Sequence, residues 1–174
     1  MLREAMDSRI ASRLALLAIA LATIGCDRVT KQAATIMLAG APVRSYLGDT
    51  VRLAYAQNAG GFLSWGADWP SPVRTGVFTV GTCLLLLWLL AAAAKRRWSS
   101  AAMLGITLFA AGASSNWIDR VLHGSVVDFL NVGIGPLRTG IFNVADVALL
   151  LGVALVVFTE AKTARSLTSE PSDS

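Results

Sequence analysis

Three long stretches that are almost free of charged side chains constrain what this chain can fold into. Residues 75–94 and 99–118 carry no charge, and residues 139–159 carry only Asp146. A helix needs about 20 mostly apolar residues to cross the hydrocarbon core of a bilayer. Each stretch has that length, so the sequence predicts three transmembrane helices.

A fourth apolar stretch lies near the N-terminus and has two interpretations. Arginines precede it and Gly25-Cys26 ends it, which is the outline of a secreted lipoprotein's signal peptide. However, Asp27 and Lys31 follow at once, and three further spans argue against a soluble mature protein. We therefore expect a membrane helix over about residues 10–29, with Asp27 near one end and Cys26 buried inside it.

The overall charge also favours a membrane protein and excludes other classes. Charged residues make up 15% of the chain, against about 25% in soluble domains. The net charge is +4, but the basic residues are scattered or flank apolar runs, so we expect no nucleic-acid partner and instead membrane phospholipids. Two cysteines and one histidine form no familiar zinc spacing, so we expect no metal and no cofactor.

Basic residues predict the orientation of the four spans. They crowd at the N-terminal flank, in the 95–97 link and after the last span, and such crowding marks the cytoplasmic side. Both termini are then cytoplasmic, and the loops over 32–73 and 119–138 face outward.

These features together predict an all-α membrane protein with four transmembrane helices. The β-prone residues within 51–66 add a small β-type periplasmic surface loop between helices 1 and 2. We expect one domain over residues 1–160, followed by a polar C-terminal tail over 161–174, of which residues 166–174 (SLTSEPSDS) are predicted to be disordered.

Ionisable side chains near the ends of the last two spans are the candidates for chemistry, because they are costly in a membrane. Asp128 lies in the apolar run 126–130, and Asp146 lies in the last span. Two carboxylates brought together in an apolar site cannot both ionise cheaply, so one keeps its proton. Such a pair can act as general acid and base on a water that attacks a peptide carbonyl.

Other interpretations of these side chains remain open. Asp119 and Arg120 could end a helix and anchor it at the headgroups, and Asp146 could be a first-turn acid favoured by the helix dipole. Asn116 shares a helical face with this pair, as Asn143 does with Asp146.

Four sequence blocks, in order over about residues 14–158, resemble the family of bacterial lipoprotein signal peptidases (signal peptidase II), which are four-helix intramembrane aspartyl proteases. The blocks are DRVTK, with Asp27 and Lys31; NAGGFLS, with Asn58, Gly60 and Ser64; NWIDRVLHGSVVDF, with Asn116, Asp119, Arg120, Gly124, Val126 and Asp128; and FNVAD, with Asn143 and Asp146.

The resemblance implies a role for each matched residue. Asp128 and Asp146 would be the catalytic dyad. The other implied roles are to position the dyad and the substrate backbone (Asn116, Arg120, Asn143), to help hold the substrate (Asn58, Gly60), and to steady the outer end of helix one (Asp27, Lys31). Asp119 would be a further substrate-binding or supporting residue. The implied substrate is a prolipoprotein carrying a diacylglyceryl group on its cysteine, cut just before that cysteine. We expect a monomer in the bacterial inner membrane, with its active site near the outer face.

The sequence departs from the family pattern at three places. Ser115 stands where the family usually has Gly, Ala111-Gly112 replaces a glycine pair, and Gly61-Phe62-Leu63 replaces Ala-Ala-Phe. None of these changes touches the dyad, so we expect an active enzyme. The alternatives are a catalytically altered relative or a small proton or cation transporter. A transporter predicts acids spread through the membrane depth, whereas here they cluster at one interface.

Overall fold

The computed structural model describes residues 2–95 and 98–168, which contain four helices long and apolar enough to cross a membrane. A short helix, a π-helical segment and a longer helix run together to form the second span. The helical elements are α1 (Leu2–Leu38), α2 (Ser71–Arg74), the π-helical turns Thr75–Gly81, α3 (Thr82–Lys95), α4 (Ser100–His123) and α5 (Val144–Thr168).

A small antiparallel sheet covers one end of the helices, which we call the sheet end. Its strands, in spatial order, are β1 (Arg44–Tyr46), β2 (Val51–Asn58), β3 (Val126–Ile134) and β4 (Leu137–Arg138). The prediction of four apolar helices with a small β-type segment after the first is confirmed. The partner strand β3 was not predicted, because its segment was interpreted as a loop.

The pairing of β2 with β3 brings two candidate residues to one face of the sheet. Ala56 pairs with Asp128, and Asn58 pairs with Val126. Alternate residues of a strand point to the same face, so Asn58 and Asp128 share a face.

Helix α4 is longer than the predicted span over 99–118. It continues through Asp119 and Arg120 to His123, and the next residue, Gly124, caps it with a left-handed φ of 74°. The charges do not end the helix, because α1 and the loop after β2 supply partners for them. Asp119 and Arg120 are therefore helical, and they are not in the predicted loop.

The other helices also differ in length from the predicted spans. Helix α5 starts at Val144 instead of residue 139, because Phe142 still exchanges backbone hydrogen bonds with Leu130 of β3. At its other end α5 continues to Thr168. Residues 161–168 of the predicted polar tail are therefore helical, and they include residues 166–168, which were predicted to be disordered. Arg96, Arg97 and the tail residues 169–174 lie outside the described residues.

Packing between the helices depends on which face of each one points inward. On α1, Asp27 and Lys31 are buried and lie one turn apart, which defines the inner face. Cys26 is exposed, so the prediction that it is buried is wrong. Each helical residue is rotated by about 100° from the last, and this places Cys26 off the inner face.

Between α4 and α5, close contact occurs at Gly105, Gly112 and Gly152.

Candidate active site

The candidate site lies at the sheet end, where α4 ends, α5 begins and β2 pairs with β3. Asp128 of β3 is 1% exposed, and Asp146 in the first turn of α5 is 5% exposed. Both carboxylates are therefore removed from bulk solvent. Their side-chain partners come from α4, β2 and the residue that precedes α5.

A reciprocal cap fixes Asp146 at the start of α5. The Asn143 Oδ1 accepts a hydrogen bond from the Asp146 backbone N–H at 3.0 Å, and the Asp146 Oδ2 accepts one from the Asn143 backbone N–H at 3.1 Å. This is the geometry of a capping box. The other oxygen of Asp146, Oδ1, accepts a hydrogen bond from Asn116 Nδ2 at 2.9 Å.

Asn143 also contacts the second carboxylate, and so joins the two acids. Its Nδ2 donates to Asp128 Oδ1 at 2.6 Å, while Asn58 Nδ2 donates to Asp128 Oδ2 at 2.9 Å. Burial, aided by the negative charge of Asp146, raises the pKa of Asp128 to about 6, although hydrogen bonds from Asn58 and Asn143 oppose this rise. Asp128 therefore keeps its proton at pH values where an ordinary aspartate has lost it.

The loop after β2 is built around Asn58 and held against α4. Asn58 Oδ1 accepts a hydrogen bond from the Gly60 N–H at 2.9 Å, and the Gly60 carbonyl accepts one from Arg120 Nη2 at 2.6 Å. A Cβ on Gly60 would lie 2.4 Å from the Trp65 carbonyl oxygen, so only glycine fits. Ser64, with φ of 63°, makes this loop turn sharply.

A second buried cluster joins α1 to the site. Asp27 is 0% exposed and accepts hydrogen bonds from Ser115 Oγ at 2.7 Å and from the Ala145 N–H at 2.9 Å. Lys31 Nζ lies 2.6 Å from Asp27 Oδ2 and donates to Asn116 Oδ1 at 2.7 Å. This lysine thus links the cluster to the asparagine that holds Asp146.

Asp119 belongs to the same cluster. Its carboxylate accepts a hydrogen bond from Lys31 Nζ at 2.7 Å and pairs with the Arg28 guanidinium. Asp119 is buried between α1 and α4, and so it is not the headgroup anchor of the alternative interpretation.

All ten predicted site residues lie in one connected hydrogen-bond network. Arg28 and Ser115 also belong to this network, although neither was among the predicted site residues. Arg28 lies inside the DRVTK block, directly after Asp27, and Ser115 directly precedes Asn116. Proximity to a matched residue was the signal available for both.

The donors around the two carboxylates determine what the site can do. Among residues 2–95 and 98–168, no group of three or more His, Cys, Asp or Glu is placed to hold a metal ion. The dyad is instead surrounded by the amide groups of three asparagines. An acid with a raised pKa beside a second carboxylate can supply and accept protons in one reaction.

Comparisons with known proteins agree on one family. The family described as signal peptidase (SPase) II matches residues 19–162. A lipoprotein signal peptidase of Vibrio parahaemolyticus serotype O3:K6 is 38% identical over 108 residues, which are 60% of this chain and 62% of that protein. The chain thus covers less than two thirds of the length of this relative. The lipoprotein signal peptidase of Hydrogenovibrio crunogenus is 34% identical over 144 residues, or 82% of each chain.

Solved structures show the same fold. A bacterial membrane enzyme determined by the in meso method at 2.3 Å resolution superposes with a TM-score of 0.76 and 26% identity, over 90% of this chain and 93% of that one. A second bacterial membrane enzyme, at 1.9 Å, gives a TM-score of 0.67 and 28% identity, over 83% of this chain and 90% of that one.

Proposed function

Since this chain belongs to the signal peptidase II family, we propose that it is a lipoprotein signal peptidase. It acts as an aspartic endopeptidase that removes the signal peptide from prolipoproteins by cutting just before a diacylglyceryl-modified cysteine. The observation that carries this proposal is the buried pair Asp128 and Asp146, joined through the single side chain of Asn143.

The dyad acts with one carboxyl group protonated and the other ionised. We assign Asp128 as the acid in the resting site, because burial and the charge of Asp146 raise its pKa to about 6, and we assign Asp146 as the base. Asp146 takes a proton from a water molecule as the water oxygen bonds to the scissile carbonyl carbon, and Asp128 donates its proton to the carbonyl oxygen. As this intermediate collapses, the C–N bond breaks, the leaving nitrogen takes the proton from Asp146, and a hydroxyl of the intermediate returns a proton to Asp128 as the new carboxyl group forms.

The surrounding residues position the dyad and the substrate. Asn116 and Asn143 hold the acids in place through the hydrogen bonds described above. Arg120 and Asn58 fix the loop at Gly60, and Asn58 joins this loop to Asp128. This loop is where an extended substrate backbone would meet the site.

Four membrane-capable helices and the family make this a bacterial membrane protein. We place it in the inner membrane as a single-domain monomer over residues 1–160, with both termini cytoplasmic and the dyad near the outer face. Two observations support this orientation. Basic residues flank the opposite helix ends, and Trp65, 64% exposed on the loop beside the dyad, suits an interface with lipid headgroups. Phospholipids then surround the helices.

Substitution of either acid tests the proposal. Asp128→Asn and Asp146→Asn should each abolish cleavage of a lipidated prolipoprotein in detergent while the unfolding midpoint stays close to that of the wild type. Asp7→Asn, which changes an exposed acid on α1, is the matched control and should cut normally. Robust cleavage by either dyad variant would refute the assignment. A wild-type protein that cuts no lipidated precursor would be a catalytically altered relative. The transporter is not favoured, since the acids lie at one end of the helices.

A further inference from the structure

Ser115 of α4 contacts the buried charge cluster at Asp27 and Arg28. Its side chain is 0% exposed, and its hydroxyl donates to Asp27 Oδ2 at 2.7 Å. Its carbonyl accepts a hydrogen bond from Arg28 Nη2 at 3.0 Å. A residue without a hydroxyl at this position could make the carbonyl contact but not the contact with Asp27.

The Asp27 carboxylate carries the effect of Ser115 to the start of α5. Its other oxygen, Oδ1, accepts a hydrogen bond from the backbone N–H of Ala145 at 2.9 Å. The N–H groups in the first turn of a helix have no intrahelical partner, and a negative charge there is favourable. Asp27 is therefore a second cap of α5, supplied by α1, on the residue that directly precedes Asp146.

Without the hydroxyl of Ser115, the Lys31 ammonium would be the remaining side-chain partner described for Asp27 Oδ2. Lys31 Nζ lies 2.6 Å from Asp27 Oδ2, and the same ammonium also binds Asn116 and Asp119. The hydroxyl donates to the same oxygen, Oδ2, and so it helps to hold the carboxylate where its other oxygen accepts from Ala145. Because Asp27 is fully buried, bulk water does not replace a lost donor.

We propose that Ser115 is a positioning residue that holds Asp27 against the first turn of α5 and thereby sets the place of Asp146. This inference rests on the proposed function. Ser115 does not touch the reacting atoms, so its loss lowers kcat and leaves KM unchanged.

Three variants in the prolipoprotein cleavage assay test this role. Ser115→Ala and Ser115→Gly should each lower kcat about tenfold, with KM within twofold of the wild type, at a temperature where every protein is folded. Ser114→Ala is the matched control, because Ser114 lines an apolar groove between α1, α3 and α4, and it should keep the wild-type kcat. Full kcat in Ser115→Ala would overturn the proposal, and so would an equal loss in Ser114→Ala.

A double-mutant cycle with Asp27→Asn separates positioning from a general loss of packing. In the Asp27→Asn background, Ser115→Ala should change kcat less than twofold, because the carboxylate through which Ser115 acts is already absent. A full tenfold loss in that background would overturn the proposal.

The same four proteins give unfolding midpoints, which need no substrate. We expect the two midpoint shifts to be non-additive, and additive shifts would overturn the pairing of Ser115 with Asp27. If the wild-type protein cuts no precursor, the proposed function fails, while the midpoint cycle still decides whether Ser115 and Asp27 act together.

Discussion

A single methyl group added at Gly112 would disturb the contact between α4 and α5 next to the dyad. An ideal Cβ at this glycine lies 2.4 Å from the Ala145 carbonyl oxygen, whereas ordinary contacts begin at 3.4 Å. Gly112→Ala therefore forces the two helices apart by about 1.0 Å, the difference between these distances. The obstacle is a backbone atom, so no side-chain rotation relieves it.

The displacement falls on the hydrogen bond that holds Asp146. Asn116 lies one turn after Gly112 on α4, and its Nδ2 is 2.9 Å from Asp146 Oδ1. Adding the separation gives about 3.9 Å, which is too long for a hydrogen bond. A misplacement of about 1 Å in a catalytic site can cost about 100-fold in rate, and overpacking costs about 1–3 kcal/mol of stability. We therefore expect Gly112→Ala to lower kcat about 100-fold and the free energy of unfolding by about 1–3 kcal/mol.

The assay compares kcat on a lipidated prolipoprotein in detergent with the free energy of unfolding. Gly105→Ala is the matched control, because its Cβ would lie 2.8 Å from the Gly152 carbonyl oxygen in the same helix pair. Seven residues at about 1.5 Å each place it roughly 10 Å further from the dyad. We expect a similar loss of stability and less than a tenfold loss of kcat.

Two results would refute this reasoning. One is a Gly112→Ala protein with the kcat of the wild type, which would show that the helices tolerate the methyl group without moving the dyad. The other is an equal loss of kcat in Gly105→Ala, which would show that any loosening of this helix pair stops catalysis.

Three further predictions concern the asparagines and the protonation of Asp128. The pKa of Asp128, raised to about 6, predicts that kcat/KM falls as pH rises through about 6 because the acid loses its proton; a profile that stays flat to pH 8 would contradict this. Asn58 lowers the pKa of Asp128 by hydrogen bonding, so Asn58→Ala should move this alkaline limb to higher pH, and a shift to lower pH would be inconsistent with its contact. Asn143→Ala removes the cap of α5 and a donor to Asp128, so it should cost about 1–2 kcal/mol of unfolding free energy and more than 100-fold in kcat, and a variant with normal kcat would contradict the bridging role.

The sequence predicted the number of membrane helices well, because hydropathy over about 20 residues is a strong signal. It predicted the helix ends poorly. Asp119 and Arg120 looked like the end of a span, yet the helix continues because buried partners from α1 and the Gly60 loop neutralise them. The start of α5 was also misplaced, since residues before Asn143 pair with β3. Such partners lie far away in the sequence, and a local pattern does not reveal them.

The sequence identified most residues of the network around the dyad, but it did not predict which of them form hydrogen bonds with one another. Spacing placed Asn143 and Asp146 on one helical face, whereas the structure has Asn143 outside the helix as its cap. Ser115 was recognised only as a departure from a family pattern, and its contact with Asp27 depends on how α1 packs against α4. A contact of that kind between two helices leaves no periodic signal in either one.

The position of Asp27 has a consequence for how the protein is made. Asp27 comes from the first apolar helix, yet it caps the last one, at the residue beside Asp146. Asp128 likewise depends on Asn143, which follows it in the chain. While the ribosome is still delivering α5, half of the dyad is absent and the Asp27 carboxylate lacks one of its partners. A fragment that stops before Asn143 therefore lacks both contacts, and we expect such a fragment to have no proteolytic activity.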